Sequence, residues 1–171
     1  MQAPGGAQVE ATADKSLARV WLAAIVLSLV GVDQLTKSLV AATLAEGESV
    51  RVIGDVLRIT HIRNSGAAFG MLRGFGGLFA LVALVGVVAF VAILVRRPST
   101  MTGIAAALVA AGALGNLTDR IFRGPIGRGT VVDFVHPSFW PAFNVADSAI
   151  SIGAALLIIT SFRERPRADL R

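Results

Sequence analysis

Phe143-Asn144-Val145-Ala146-Asp147-Ser148-Ala149-Ile150-Ser151-Ile152-Gly153-Ala154-Ala155-Leu156-Leu157-Ile158-Ile159-Thr160-Ser161-Phe162 is an apolar run with a carboxylate near its head. From Val145 to Phe162 it approaches the roughly 17–25 residues that a membrane span needs. Asp147 stands where that run would meet the membrane boundary. An ionisable side chain there is costly, which points to function. A second aspartate, Asp133, lies just upstream in Val131-Val132-Asp133-Phe134. Two carboxylates able to converge on one spot suit shared-proton acid–base chemistry.

Composition agrees with a membrane setting. Of 171 residues, 54% are hydrophobic and 16% charged, with a mean hydropathy of +0.71. A soluble domain of this size would lack the polar surface to cover itself, and the length suits one compact membrane domain. The chain has no cysteine, so disulfides, a thiol nucleophile and thiolate metal sites are excluded. A net charge of +5 raises nucleic acid as a partner. The basic residues lie in loops and tails between apolar runs, however, so no nucleic acid is expected and anionic membrane lipid is the natural counter-charge.

Four apolar runs are read as spans: Leu17 to Val32, continuing helically past Lys37; Phe75 to Val95, without a charge; Met101 to Leu117, rich in Ala and Gly; and Val145 to Phe162. The expected fold class is therefore an all-α membrane protein, a four-transmembrane-helix bundle with a small extracytoplasmic β-rich loop between spans 1 and 2. That loop contains Val50, Val52, Ile53, Val56, Ile59, Thr60 and Ile62, a β-branched run that reads as a hairpin on the membrane surface. Residues 1–16 are polar and Gly/Ala-rich and are expected to be a disordered extension. Residues 17–163 form a single membrane domain, and 164–171 a basic cytoplasmic tail. The first span is not read as a cleaved signal peptide, because its apolar run is too long and Asp33-Gln34-Leu35-Thr36-Lys37 is no small-residue cleavage site.

Basic residues orient the chain weakly. With both termini cytoplasmic, Lys15, Arg19, Arg96, Arg97, Arg163, Arg165, Arg167 and Arg171 lie inside, against Arg51, Arg58, Arg63, Arg73, Arg120, Arg123 and Arg128 outside. The short loop Arg96-Arg97-Pro98 and the basic C-terminus decide, since the rule applies to short loops near span ends. The second outer loop, 122–142, carries Gly124, Pro125, Gly127, Gly129, Pro137 and Pro141 and is read as a possible lid, with Phe139 and Trp140 as interface anchors.

Polar residues recur at helical spacing on one membrane face. Asp33 and Lys37 are i, i+4 partners. Asn116, Asp119 and Arg120 share a face, as do Asn144, Asp147, Ser148 and Ser151. The small residues Gly103, Ala107, Ala111 and Gly115 allow close helix approach and are expected to leave room for a substrate. Bland roles compete with each functional one. Asp33 with Lys37 can be an interface ion pair, and Asp119 with Arg120 a structural pair. Ser148 and Ser151 suit backbone-bonded packing hydroxyls, Asn64-Ser65-Gly66 a turn, Asp133 a solvated loop residue and Asp147 a helix cap.

Five segments, in order, decide among these roles: Asp33-Gln34-Leu35-Thr36-Lys37; Asn64-Ser65-Gly66-Ala67-Ala68-Phe69-Gly70; Gly115-Asn116-Leu117-Thr118-Asp119-Arg120; Val131-Val132-Asp133-Phe134; and Phe143-Asn144-Val145-Ala146-Asp147. Together they make the chain resemble lipoprotein signal peptidase, or signal peptidase II, a bacterial membrane aspartic protease family. The resemblance implies removal of the signal peptide from a prolipoprotein, just before a diacylglyceryl-modified cysteine. It implies Asp133 and Asp147 as the catalytic pair. It places Asn64, Gly66, Asn116, Asp119, Arg120, Asn144 and Ala146 around the site, and gives Asp33 and Lys37 a structural or lipid-facing role. It also implies inhibition by cyclic-peptide antibiotics, a bacterial cytoplasmic (inner) membrane location, and an active site near the extracytoplasmic face. No metal and no other cofactor is needed, because two nearby carboxylates sharing one proton can activate water and protonate the scissile carbonyl.

Three other readings compete, one of them a non-catalytic membrane scaffold, which leaves the two aspartates at one boundary without a purpose. A small membrane transporter or ion-relay protein would use Asp33, Lys37, Asp119 and Arg120 as its relay. A serine protease would use Ser65 with His61 or His136, but the chain has no Gly-x-Ser-x-Gly elbow.

Overall fold

The computed structural model describes residues 5–65, 76–95, 100–124 and 129–163, with no side chains described for residues 5–16 or for parts of the second helix. Seven elements follow in order: α1 (Gly5–Thr43), β1 (Ser49–Ile53), β2 (Leu57–Asn64), α2 (Gly76–Val95), α3 (Thr100–Phe122), β3 (Val131–Pro137) and α4 (Val145–Arg163).

The expectation of a four-span, all-α bundle is corrected. Among the described residues, three helical stretches are long and apolar enough to cross a membrane: Leu17–Thr43, Thr100–Phe122 and Val145–Arg163. The second expected span is the helix α2, which packs on α3 but is not one of the three. The protein also carries a three-stranded antiparallel sheet in the order β1-β2-β3. Its third strand comes from the second outer loop, which turn residues alone had marked as irregular. Val131-Val132-Asp133-Phe134-Val135 is β-branched and aromatic, a composition that suits a half-buried pleated surface, and it pairs with β2 from Asn64↔Val131 to Leu57↔Pro137. Helix α1 also runs N-terminally of Leu17 to Gly5, through much of the segment expected to be disordered.

Helix α3 is the central helix. Of its most apolar stretch 56% is buried within the protein, against 11% for the α1 span and 22% for α4. Small residues make that possible. A Cβ at Gly112 would fall on the Ala146 carbonyl oxygen of α4, and one at Gly153 would meet the Ala105 carbonyl oxygen at 2.7 Å. The room expected for a substrate along α3 is thus taken by α1 and α4. Trp21, Leu27, Leu35 and Phe162 stay exposed, as suits helices whose outer faces meet lipid.

Two apolar clusters hold the parts together. Val26 of α1 packs with Ala107, Ala110 and Ala111 of α3. At the other end of α1, Val40 packs with Val132 and Phe134 of β3, flanked by Leu44, Ile59 and Val145. The second cluster clamps the sheet over the end of α1 and the start of α4, which brings Asp133 beside Asp147.

Candidate active site

The site begins with the cap of α4. Helix N-termini leave backbone N–H groups without intrahelical partners, and Asn144 occupies the capping position. Its Oδ1 accepts from the Asp147 backbone N–H at 2.9 Å, and the Asp147 carboxylate accepts from the Asn144 N–H at 3.3 Å. That reciprocal pair has the form of a capping box. The cap expected as a bland alternative for Asp147 is real, and it holds the carboxylate in place. A third orphan, the Ala146 N–H, donates to Asp33 Oδ1 at 2.9 Å, so α1 also anchors the start of α4.

The Asn144 side chain then links the two aspartates. Its Nδ2 donates to Asp133 Oδ1 at 2.7 Å, with longer contacts to Asn116 Oδ1 at 3.3 Å and the Val132 carbonyl at 3.4 Å. Asp133 receives a second amide, Asn64 Nδ2 on Oδ2 at 2.9 Å. Sheet register explains this bond: Ile62 lies opposite Asp133 and Asn64 opposite Val131, so Asn64 is the diagonal neighbour of Asp133 on the same face. Asp147 receives its own amide, Asn116 Nδ2 on Oδ1 at 2.8 Å. Three asparagines, from β2, α3 and the cap of α4, therefore hold the pair.

The two carboxylates differ in exposure. Asp133 is buried, at 3% exposed, whereas Asp147 is half-buried. Burial, reinforced by the charge of Asp147, pushes the Asp133 carboxyl up to about 6, against the bonds from Asn64 and Asn144 that favour its ionised form. Beside Asp147 opens a groove of about 380 Å³ lined by Trp140, Phe143, Ser148, Ser151 and Ile152. Ser148 itself bonds back to the Asn144 carbonyl at 3.1 Å, as a packing hydroxyl would.

A second, sealed cluster lies behind the pair. Lys37 is fully buried and contacts Asp33 at 2.8 Å and Asp119 at 3.1 Å, and it donates to Asn116 Oδ1 at 2.9 Å. Asp119 also binds Arg123 Nε at 2.9 Å and the Val132 N–H at 3.1 Å. Arg120 donates to the Asn116 carbonyl at 3.1 Å and lies within electrostatic reach of Asp119, Asp133 and Asp147. Asp33 and Lys37 are thus interior groups and do not face lipid.

Asn64, Asn116, Asp119, Arg120, Asn144 and Ala146 all meet at this site, while Gly66 lies outside the described residues. Three participants had no assigned role in the sequence. Gln34 Nε2 donates to Asp119 Oδ1 and to the Gly115 carbonyl, both at 3.0 Å. Arg123 bridges Asp119 and Ser38. Gln34 sits inside a motif segment one residue from Asp33, which was the available signal; the Arg123–Ser38 contact had none. The histidines are engaged away from Ser65: His61 Nδ1 with the Leu44 carbonyl at 2.9 Å and His136 Nδ1 with Thr60 Oγ1 at 3.2 Å. Among the described residues, no group of three or more His, Asp or Glu is arranged to hold a metal ion.

Known proteins share this architecture. Residues 25–163 match the family described as signal peptidase (SPase) II. The lipoprotein signal peptidase of Streptomyces coelicolor is 44% identical over 143 residues, covering 83% of this chain and 70% of the relative. That of Geobacillus kaustophilus is 44% identical over 153 residues, covering 85% and 94%. Two solved structures of bacterial membrane enzymes superpose with TM-scores of 0.76 and 0.73, at 33% and 35% identity. The first covers 88% of this chain and 92% of its own; the second covers 84% and 93%.

Proposed function

The chain belongs to the signal peptidase II family, a peptidase of the bacterial membrane that cleaves lipoprotein signal peptides, and from that premise we propose that it works as an aspartic endopeptidase with Asp133 and Asp147 as its catalytic pair. The observation that carries this reading is the direct partnering of both carboxylates by neutral amides, Asn64 and Asn144 on Asp133 and Asn116 on Asp147. Amide donors orient a carboxylate without pinning its proton as an adjacent cation would. Asp133, buried and raised in pKa, is the member that holds the shared proton. Asp147, beside the groove, is the member that meets water.

In the reaction, the ionised Asp147 takes a proton from a water that attacks the scissile carbonyl. Asp133 donates to the carbonyl oxygen as the tetrahedral gem-diol forms; as the C–N bond breaks, the proton held by Asp147 passes to the leaving amine and a gem-diol hydroxyl returns its proton to Asp133. The substrate is a prolipoprotein cleaved before its diacylglyceryl-modified cysteine, its peptide entering the groove at Asp147 while its acyl chains remain in lipid. Both termini lie in the cytoplasm and the site faces the opposite side. The exposed Phe139 and Trp140 anchor the turn that follows β3 at the interface, where it closes over the peptide. Cyclic peptides that occupy the same groove inhibit.

The test is cleavage of a diacylglyceryl-modified prolipoprotein by purified protein in lipid nanodiscs, beside Asp133→Asn, Asp147→Asn and an unlipidated substrate. Each variant is expected to keep its fold and lose at least about 10³-fold in kcat, and the unlipidated substrate is expected to stay intact. Retained turnover in either folded variant would remove the two-aspartate mechanism.

A further inference from the structure

We propose that Lys37 is a positioning residue for the aspartate pair: by donating to Asn116 Oδ1 it fixes which end of the Asn116 amide faces Asp147. The inference rests on the two-aspartate reading above.

The buried ammonium has three acceptors for its three protons: Asp33 Oδ2 at 2.8 Å, Asn116 Oδ1 at 2.9 Å and Asp119 Oδ2 at 3.1 Å. An ammonium can only donate, so the end of the Asn116 amide facing it has to be the oxygen. The nitrogen end then points at Asp147 Oδ1, 2.8 Å away. Reversing the amide would set an NH₂ against the ammonium and a carbonyl against the carboxylate, two repulsive contacts in a buried setting. Asn144 Nδ2, at 3.3 Å from the same oxygen, votes the same way. Arg120 bonds the Asn116 main-chain carbonyl, which fixes the backbone and leaves the direction of the side-chain amide to Lys37 and Asn144.

The groups facing Asp147 are Asp133 on β3, Asn116 and Arg120 on α3, Asn144 ahead of α4 and, through Asn116, Lys37 on α1. With a side chain at position 37 that cannot donate, only the longer contact from Asn144 still directs the Asn116 amide, and Asp147 loses a dependable donor.

Lys37→Met alone would strand Asp33 and Asp119, so the test uses Lys37→Met with Asp33→Asn, which removes one charge of each sign. In nanodiscs, with folding checked by thermal melt, this pair is expected to keep KM within a few-fold of wild type and to lose about 10–100-fold in kcat. The acid limb of its kcat/KM profile is expected to move about one pH unit to higher pH, because a carboxylate that has lost a charge-assisted donor ionises less readily. Asn116→Ala is expected to move the limb equally, and adding the Lys37 and Asp33 changes to it is expected to cost nothing further in kcat. An unmoved limb in the folded double variant, or losses that multiply, overturns the proposal.

Should the double variant fail to fold, Lys37→Gln with Asp33→Asn keeps a polar side chain there. Its amide can present either a donor or an acceptor to Asn116, so the same displacement is expected, and a wild-type limb overturns the proposal. Asp133→Asn and Asp147→Asn run alongside. Turnover surviving in those brings down the aspartic reading, whereas their inactivity with an unmoved limb in the Lys37 variants removes only the role of Lys37.

Discussion

Two carboxylate pairs lie side by side in this protein and are held by opposite chemistries. Asp33 and Asp119 are answered by cations: Lys37 touches both and Arg123 touches Asp119. Asp133 and Asp147 receive the amides of Asn64, Asn144 and Asn116, with the Arg120 guanidinium within electrostatic reach of both. Buried carboxylates that share one cation across two helices hold those helices together. A carboxylate held by neutral donors keeps its orientation and can still trade a proton. The hydrogen-bonding partners differ between the two pairs, and Asn116 is the joint, receiving Lys37 at its oxygen and giving its nitrogen to Asp147.

The contrast can be broken from the structural side first. Lys37→Met as a single change leaves two fully buried carboxylates short of their cation and is expected to cost about 3–5 kcal/mol of stability. A marked fall in melting temperature at pH 7 checks this, and a stable Lys37→Met protein would show that the cluster is not what joins α1 to α3.

Asp133 gives a smaller effect, one that depends on pH. Its folded pKa, about 6, stands above the ordinary value of 3.8. The stability this contributes is fully present below the unfolded pKa and is lost as pH rises through the folded one. Between about pH 4 and pH 7 the wild type is therefore expected to lose about 2–3 kcal/mol relative to Asp133→Asn. Paired denaturation curves at the two pH values measure the difference, and a gap that does not change with pH would mean that Asp133 is not held protonated.

The smallest effect is expected at Arg123, partly exposed at 23%. Asp119 keeps Lys37 when Arg123 is lost, so Arg123→Gln is expected to cost only about 1 kcal/mol and to leave the pH profile of cleavage unchanged. A displaced profile would tie Arg123 to the catalytic pair and blur the division between the clusters.

Much of this arrangement was legible along the chain, unevenly. Helical spacing alone paired Asp33 with Lys37 and put Asn144 and Asp147 on one helix face, because both relations are local. The Asn64–Asp133 bond depends on the register of β2 against β3, a long-range property that no spacing in the sequence carries. The third strand was hidden by its surroundings: Gly129, Pro137 and Pro141 flank a stretch whose β-branched residues are as dense as those of the first hairpin. The small residues of α3 were legible as a close-packing stripe, but their occupants were not; Gly115 lies against Asp33 and Ala146, so the stripe seats neighbouring helices. Gln34 and Arg123 were passed over because a polar side chain in a span declares a need for partners without saying which.

The most direct test of the account is to see which aspartate carries the proton. Infrared titration of the protein in nanodiscs from pH 4 to pH 8 would follow the carboxylic-acid C=O stretch in wild type, Asp133→Asn and Asp147→Asn. The expected result is a band that fades with a midpoint near the pKa of about 6 given for Asp133, that persists in Asp147→Asn, and that is missing in Asp133→Asn. A band that survives in Asp133→Asn and disappears in Asp147→Asn would contradict the account and reverse the roles of the pair.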